Sequence, residues 1–355
     1  MKEVFFKRRR SAEKRRNMIT KNMAIRRKAA IVAVLILLIS FGTNVQAYAA
    51  GDAYAYELVD RVKSKSVKDD GITYSSIEGL ALGDKDGKAY VLKANGAKGT
   101  QCLFFGGKRT NLVEKKNQMG NLGHGNDMTY RRKDGKLYVA PMDYYITRMT
   151  TDGKFEKKIS TKYKVSGIAC WFNYDKKNNQ DAFILKSGDT FHIVQIDGTK
   201  VKEICSFKIH IDNGKALNQG ICMYKGILYV TYWESSSGNS YVYRVNKSMS
   251  TVAKEKGQKG EIRDEETETI NGKKVKKTIW TYDKTQIVTL DKKKLLAAAK
   301  DEVKVKSGIP SKIEIESIAF AGGYLYFTAN ANYEDKDKNS YSLDGLYKVS
   351  KQLIV

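Results

Sequence analysis

Residues 218–230 read Asn-Gln-Gly-Ile-Cys-Met-Tyr-Lys-Gly-Ile-Leu-Tyr-Val, and the pattern of this phrase decides the fold. A polar residue, a small residue and an aliphatic residue lead into a Gly-containing turn, and an aromatic β run follows the turn. A short apolar strand, a tight turn and a second strand together form the pattern of a β-hairpin. The stretch therefore predicts two antiparallel strands.

The same phrase occurs five times along the chain, with starts at Glu78, Asp127, Ser166, Gln219 and Glu316. Repeats of roughly 40–50 residues that are rich in Tyr, Val and Gly and poor in helix are typical of β-propeller blades. We therefore predict an all-β fold, namely a β-propeller with five blades, and keep six blades as the alternative.

The gap between the fourth and fifth phrases is 97 residues, about twice the usual spacing. It contains either a degenerate sixth blade or an insertion, and we favour an insertion at about 253–312. That segment has a charged hairpin with Asn271-Gly272 at its tip and a predicted short helix within Asp291 to Val303. A strand near Tyr56 to Val62 is expected to supply the outer edge of the last blade and so to close the ring.

The first 50 residues have the three-part pattern of a secretory signal peptide. A basic segment is followed by an apolar run from Ala29 to Gly42 and then by Ala47-Tyr48-Ala49, a small-x-small triplet suited to signal peptidase. The run is 14 residues long, whereas a membrane span needs about 20. We predict a signal peptide at 1–50, with a retained N-terminal membrane anchor as the alternative. The propeller domain is then 51–355, in a secreted or cell-surface protein.

The net charge of +25 divides into two parts. Residues 1–30 hold 12 basic and 2 acidic side chains and contribute +10, so the rest of the chain carries +15. No dense basic block lies beside a nucleic-acid-reading motif, which argues against nucleic acid as a partner. A basic exported domain instead favours an anionic cell-wall polymer. We expect a monomer that contacts a membrane only through an uncleaved N-terminal segment.

The innermost strand of each blade lines the central channel of a propeller, so the leading residues of the five phrases are expected at a funnel. Three of them are carboxylates and are the candidate catalytic residues: Glu78, Asp127 and Glu316. Six other residues near the phrases are candidates for binding: His124, Asn126, Ser166, Gln219, Trp171 and Trp233.

Three interpretations of this polar ring stay open. Inner-strand polar residues commonly cap backbone groups and hold channel water. Converging oxygen ligands would suit Ca²⁺, which is therefore the one candidate cofactor. Paired carboxylates would instead provide general acid/base chemistry, as in glycoside cleavage.

The cysteines at 102, 170, 205 and 222 contain no Cys-x-x-Cys pair, which argues against a structural zinc site. An even number in an exported protein permits two disulfides. Cys170 and Cys222, however, lie inside apolar inner-strand phrases, where a small buried side chain serves equally well. We expect all four to be thiols of the core.

The fourth and fifth phrases carry a family resemblance. The segments 218–230 and 314–327 resemble the blade motif of helveticin-J-type bacteriocins, and the motif is also similar to that of the propeller in Gram-positive phage receptor-binding and teichoic-acid-related proteins. Residues 124–130 fit the second blade of this group. The resemblance implies a five-bladed propeller that engages cell-surface polymers of Gram-positive bacteria. It carries over no catalytic residue, and the insertion at 253–312 departs from the pattern.

From the sequence we therefore expect an exported, envelope-associated propeller that binds a polyanionic or glycan polymer such as a cell-wall glycan or teichoic acid. The alternative is a propeller hydrolase or lyase that acts on a glycan or an ester through its funnel carboxylates.

Overall fold

In the computed structural model of the chain, the described strands form five sheets of four to six strands, which are the blades, and a separate two-stranded sheet. The structure describes residues 54–62, 65–66, 73–83, 87–96, 99–270, 273–299, 312–334, 340–342 and 344–353. The predicted signal peptide at 1–50 lies outside these residues. Among the described residues, no helix combines the length and the apolar character that crossing a membrane requires.

The strands follow the chain from blade to blade. The first three are β1 (Tyr56–Arg61), β2 (Lys65–Ser66) and β3 (Thr73–Tyr74). Blade one contains β4 (Ser76–Leu82), β5 (Lys88–Ala94), β6 (Cys102–Lys108) and β7 (Asn111–Met119). Blade two, after a 3₁₀ turn at Gly120–Leu122, contains β8 (Asp127–Arg131), β9 (Lys136–Ala140), β10 (Asp143–Thr150) and β11 (Phe155–Val165). Blade three contains β12 (Gly167–Asp175), β13 (Gln180–Ser187), β14 (Thr190–Asp197) and β15 (Lys200–Ile209).

Blades four and five are less regular. Blade four contains β16 (Lys215–Tyr224), β17 (Ile227–Glu234) and β18 (Asn239–Val245), and its outer strand comes later in the chain. Helix α1 (Met249–Lys254), β19 (Ile262–Ile270), β20 (Lys273–Tyr282), β21 (Lys284–Leu290) and helix α2 (Lys292–Ala299) follow. Blade five contains β22 (Lys312–Ala321), β23 (Tyr324–Glu334), β24 (Ser340–Ser342) and β25 (Gly345–Val349).

The innermost strands β4, β8, β12, β16 and β22 form a closed ring, because each contacts the next and β22 contacts β4. These strands are the first strands of the five phrases, so the prediction of a five-bladed propeller is confirmed. Two glycines on the inner strands allow the backbones of neighbouring blades to approach each other closely. A Cβ atom at Gly79 would lie 2.9 Å from the carbonyl oxygen of Gly125, and one at Gly220 would lie 2.8 Å from the Cα atom of Ser317.

The ring closes through pairing of the first strand with the last. Strand β1 pairs antiparallel with β25, in a register that places Tyr56 opposite Val349. The Tyr56 ring packs edge-on against Phe327 at 5.9 Å, and its hydroxyl donates to the carbonyl of Thr289 at 2.8 Å. The expectation that a strand near residues 56–62 completes the last blade is therefore confirmed.

The core lies between neighbouring blades. Strand β5 is typical, with six of its seven residues buried, because each blade packs against a neighbour on both faces. Pairs such as Tyr138 of blade two and Phe183 of blade three, with ring centroids 4.8 Å apart, fill one of these interfaces. Burying one such side chain contributes roughly 1.5–3 kcal/mol.

The segment 253–312 contains both added elements and a blade strand. The charged hairpin is β19–β20, which extends blade three through parallel pairing of β20 with β15. Helix α2 lies within the span where a short helix is predicted. Strand β21, however, pairs with β18 as the outer strand of blade four. The blade is thus interrupted between its third and fourth strands, which the sequence interpretation did not anticipate. The hairpin tip Asn271-Gly272 lies outside the described residues.

Candidate functional site

The carboxylate of Asp127 connects four of the five blades. One of its oxygens accepts hydrogen bonds from its neighbour Met128 N at 2.9 Å and from Ser317 Oγ of blade five at 2.5 Å. The other accepts from Ile168 N of blade three at 3.0 Å and Ile221 N of blade four at 3.3 Å. Asp127 begins β8 of blade two and is 0% exposed.

This bonding matches the first of the three interpretations, in which an inner-strand polar residue caps backbone groups. Burial raises the pKa of Asp127 to about 7, while the hydrogen bonds from Ser317 and the backbone oppose that shift. A carboxylate with four donors and no exposure has no face left for a substrate. Its geometry is therefore that of a cross-link between blades rather than of a catalytic group.

Glu78 lies in a separate polar cluster on β4. One carboxylate oxygen accepts from Ser76 Oγ at 2.7 Å and lies 3.3 Å from His124 Nε2. The other is buried and has no hydrogen-bond partner among the described residues. Burial raises the pKa of Glu78 to about 8. The nearby buried ion pair of Lys93 with Asp344 has two opposing effects, because the Asp344 carboxylate raises this pKa and the Lys93 ammonium group lowers it.

The other leading residues are also buried. Glu316 is 2% exposed and Ser166 is 8% exposed. Ser166 Oγ donates to the carbonyl of Lys186 at 3.3 Å. The Asn126 side chain is 0% exposed, and neither its oxygen nor its nitrogen has a hydrogen-bond partner among the described residues. The Gln219 side chain lies outside the described part of the structure.

These candidates therefore do not form one open polar ring. Glu78 and Asp127 have different hydrogen-bond partners, and both are closed off from solvent. In the described part of the chain, no group of three His, Cys, Asp or Glu side chains is arranged to hold a metal ion.

An open funnel lies further along the same inner strands. It is a cavity of about 720 Å³. Its wall includes residues 80–83 at the end of β4, 128–130 and 132 around β8, 170–172 of β12, 221–226 around β16 and 318–322 around β22. These stretches follow the leading residues of the phrases, so the cavity opens at the carboxyl ends of the inner strands. All five blades contribute to its wall.

The funnel wall is aromatic and cationic. Seven aromatic side chains line it: Tyr130, Trp171, Phe172, Tyr224, Phe320, Tyr324 and Tyr326. Three basic side chains join them, namely Arg109, Arg132 and Lys225. No Asp or Glu is among the described residues that line the cavity.

The Arg109 guanidinium is held in place by an aromatic ring. Its carbon lies 4.9 Å from the Tyr326 ring centroid, and its Nη1 donates to the Tyr326 hydroxyl at 3.1 Å. Its Nε is buried and has no hydrogen-bond partner within the described residues. Arg132 lies similarly over Phe172, at 5.3 Å from the ring centroid. In both cases a cation–π contact holds the guanidinium against the face of an aromatic ring.

The two tryptophans that were predicted to bind ligand lie in different parts of the structure. Trp171 lines the funnel and packs edge-on against Tyr174 at 4.8 Å. Trp233 pairs with Ala216 near the start of β16 and does not line the funnel. The sequence interpretation did not identify Arg109, Arg132 and Tyr326 as site residues. The available signal was the recurrence of aromatic and basic residues where the first strand of a phrase ends, as at 130–132 and 224–225.

The four cysteines are free thiols, as expected. Three are buried, and Cys170 is half-buried. The Cys102 thiol donates to the carbonyls of Gly123 at 3.4 Å and His124 at 3.3 Å. Burial raises the pKa of each thiol, so these cysteines are unreactive members of the core.

The chain is thus a five-bladed β-propeller with an aromatic, cationic funnel. No family model matches it, and no curated protein matches it. Two solved structures are similar. Bacteroides ovatus xyloglucan PUL GH43B is 10% identical over 49% of this chain and 40% of that one, with a TM-score of 0.33. A mutant of the GH43 protein BlXynB from Bacillus licheniformis is 9% identical over 84% of this chain and 60% of that one, with a TM-score of 0.40. This chain thus spans less than two thirds of either protein, and similarity at this level carries no argument about function.

Proposed function

We propose that this protein is an exported β-propeller that binds a polyanionic or glycan polymer of the bacterial envelope in its funnel. The observation that carries the proposal is the funnel wall, where three cations and seven aromatic rings converge without a carboxylate among the described lining residues. The leader-like segment at 1–50 and the net charge of +15 beyond residue 30 support an envelope location. The resemblance of the phrases to helveticin-J-type bacteriocins supports a cell-surface polymer as the ligand.

The chemistry of the wall fits such a ligand. A guanidinium fixed by an aromatic ring presents a planar set of donors to phosphate or carboxylate oxygens. Exposed faces of Tyr, Phe and Trp pack against sugar rings and against the carbon backbone of a polyol. A cavity lined by cations and lacking acids repels cations and attracts polyanions.

The test is salt-sensitive binding of the purified protein to Gram-positive cell walls and to teichoic acid. Arg109→Gln is expected to weaken binding about tenfold, because it removes the stacked funnel cation. Arg263→Gln is the matched control, since Arg263 is exposed on β19 and lines no part of the funnel. Salt-independent binding, or equal affinities of the two variants, would contradict the proposal.

A second candidate function is hydrolysis or elimination on a glycan or an ester. The favouring observation is the contact between Glu78 and His124, because a buried carboxyl with a pKa of about 8 holds a proton near neutral pH and can act as a general acid. Alanine at Glu78, Asp127 and Glu316 in turn, assayed on a glycan panel, tests it. Turnover lost in E78A with polymer binding retained supports catalysis, whereas unchanged turnover in all three variants excludes these residues.

A further inference from the structure

A second cavity lies beside the funnel, between blades three and four. It measures about 710 Å³ and shares Trp171, Phe172, Lys225 and Gly226 with the funnel wall. Residues of helix α1 form part of its far wall. Because they share these four lining residues, the two cavities adjoin each other.

This second cavity, called the groove below, is also basic. Lys176, Lys225 and Lys254 line it and are exposed, and Asp175 is its one acidic lining residue among those described. The carboxylate of Asp175 accepts hydrogen bonds from both the backbone and the side-chain nitrogen of Asn178. The positive character of the funnel therefore continues along the groove.

Lys225 stands where the two cavities meet, and its backbone is unusual. Lys225 has φ of 49° and Gly226 has φ of 79°, and the pairing of Tyr224 with Ile227 leaves these two residues as the turn of a hairpin. A turn with two positive φ angles strongly prefers Asn-Gly, since a side chain such as Lys is strained there. Strain of this kind collects at functional sites. A lysine at this position places a cation on the shared rim at a cost in backbone energy.

We propose that the funnel and the groove form a single site for a linear polymer that carries phosphate or carboxylate groups along its backbone, with Lys225 as the cation at the junction. The inference rests on the proposed function and adds a requirement for chain length. An oligomer that fills the funnel alone contacts one set of cations. A longer chain passes Lys225 and also meets Lys176 and Lys254.

The test compares Lys225→Asn with Lys256→Asn. Lys256 is likewise exposed and has φ of 53°, but it lines neither cavity, so both variants lose one charge and relieve the same kind of strain. Glycerol phosphate oligomers of increasing length and oligogalacturonates of matched length are the probes. In the unaltered protein we expect affinity to rise with length until the groove is occupied.

K225N is expected to weaken binding of the long oligomers about fivefold, while K256N leaves it unchanged. Neither variant should lower the Tm, because Asn is favoured at positive φ. If the glycerol phosphate oligomers show this pattern, phosphate is the recognised group. If the oligogalacturonates show it, carboxylate is the recognised group. Affinity that does not depend on oligomer length, or equal affinities for K225N and K256N, overturns the proposal that funnel and groove form a single site. In that case the proposed function still stands if R109Q weakens binding. If no anionic oligomer and no cell wall binds, the proposed function itself fails.

Discussion

The hydroxyl of Ser317 donates a hydrogen bond of 2.5 Å to the carboxylate of Asp127, across 190 positions of the chain. The bond joins blade five to blade two, and the same carboxylate also holds backbone amides of blades three and four. One buried carboxyl group therefore ties blade two to three other blades.

Replacing Asp127 with Asn should destabilise the protein strongly. One oxygen remains as an acceptor, while the new NH₂ group faces donors, so we expect a loss of about 2–4 kcal/mol in the free energy of unfolding. Urea denaturation measures the loss. Asp197→Asn, at an exposed position on β14, should change it by less than about 0.5 kcal/mol. Similar midpoints for the two variants would show that Asp127 is not a cross-link.

Glu78 should make stability depend on pH in a defined direction. Below about pH 4.5 the carboxyl is protonated in both the folded and the unfolded chain, so it adds no pH dependence to the free energy of unfolding. Because the folded-state pKa is about 8, the folded protein keeps the proton while the unfolded chain releases it as the pH rises from 4.5 to 8. The free energy of unfolding should therefore fall across this window, by an amount on the order of a few kcal/mol, and level off above it.

The measurement is the urea midpoint of the protein and of Glu78→Gln between pH 4.5 and 8.5. Gln mimics the protonated carboxyl, so the variant should show a flatter profile. Other titrating groups are common to both proteins and cancel in the difference. Parallel profiles for the two proteins would mean that the Glu78 carboxyl ionises in the folded state as it does in water.

Gly220→Ala tests the close packing of the inner strands. The added Cβ atom would lie 2.8 Å from the Cα atom of Ser317, which is backbone and cannot move aside alone. We expect a loss of about 2 kcal/mol or more, because the strands of blades four and five must separate. Gly120→Ala is the control, since nothing lies within 4 Å of its Cβ position. A G220A protein as stable as G120A would show that the ring packs less tightly at this point.

Trp171 and Trp233 should differ as ligand-binding residues. Trp171 lines both the funnel and the groove, whereas Trp233 lines neither. Trp171→Phe is therefore expected to weaken binding of long anionic oligomers about threefold and to remove most of the fluorescence change on binding. Trp233→Phe should preserve both. Loss of the fluorescence change in W233F instead would place the ligand elsewhere.

The blade count could be predicted because each phrase has its own turn and alternation, and these are local properties. The pairing of β1 with β25 was also predictable, because the last phrase lacks an outer strand. The position of β21 was not, since its sequence does not say that it returns to blade four after a 38-residue interruption between Val245 and Lys284.

The candidate site shows the same division. The polar leading residues are visible in the sequence, but whether Asp127 faces open space or four donors depends on contacts between blades far apart in the chain. The cation of Arg109 is defined by Tyr326, which lies 217 positions away. Local patterns therefore identify the inner strands and leave open which end of each strand forms the functional surface.

The pairing of the first and last strands also sets the timing of folding. Strand β1 is synthesised long before β25, and it has no partner in the ring until residues 345–349 exist. Contacts between such distant residues form slowly, because the loop between them must be ordered first. A product that stops short of residue 345 cannot close the ring, and it retains an unpaired edge on β23 that invites aggregation or proteolysis.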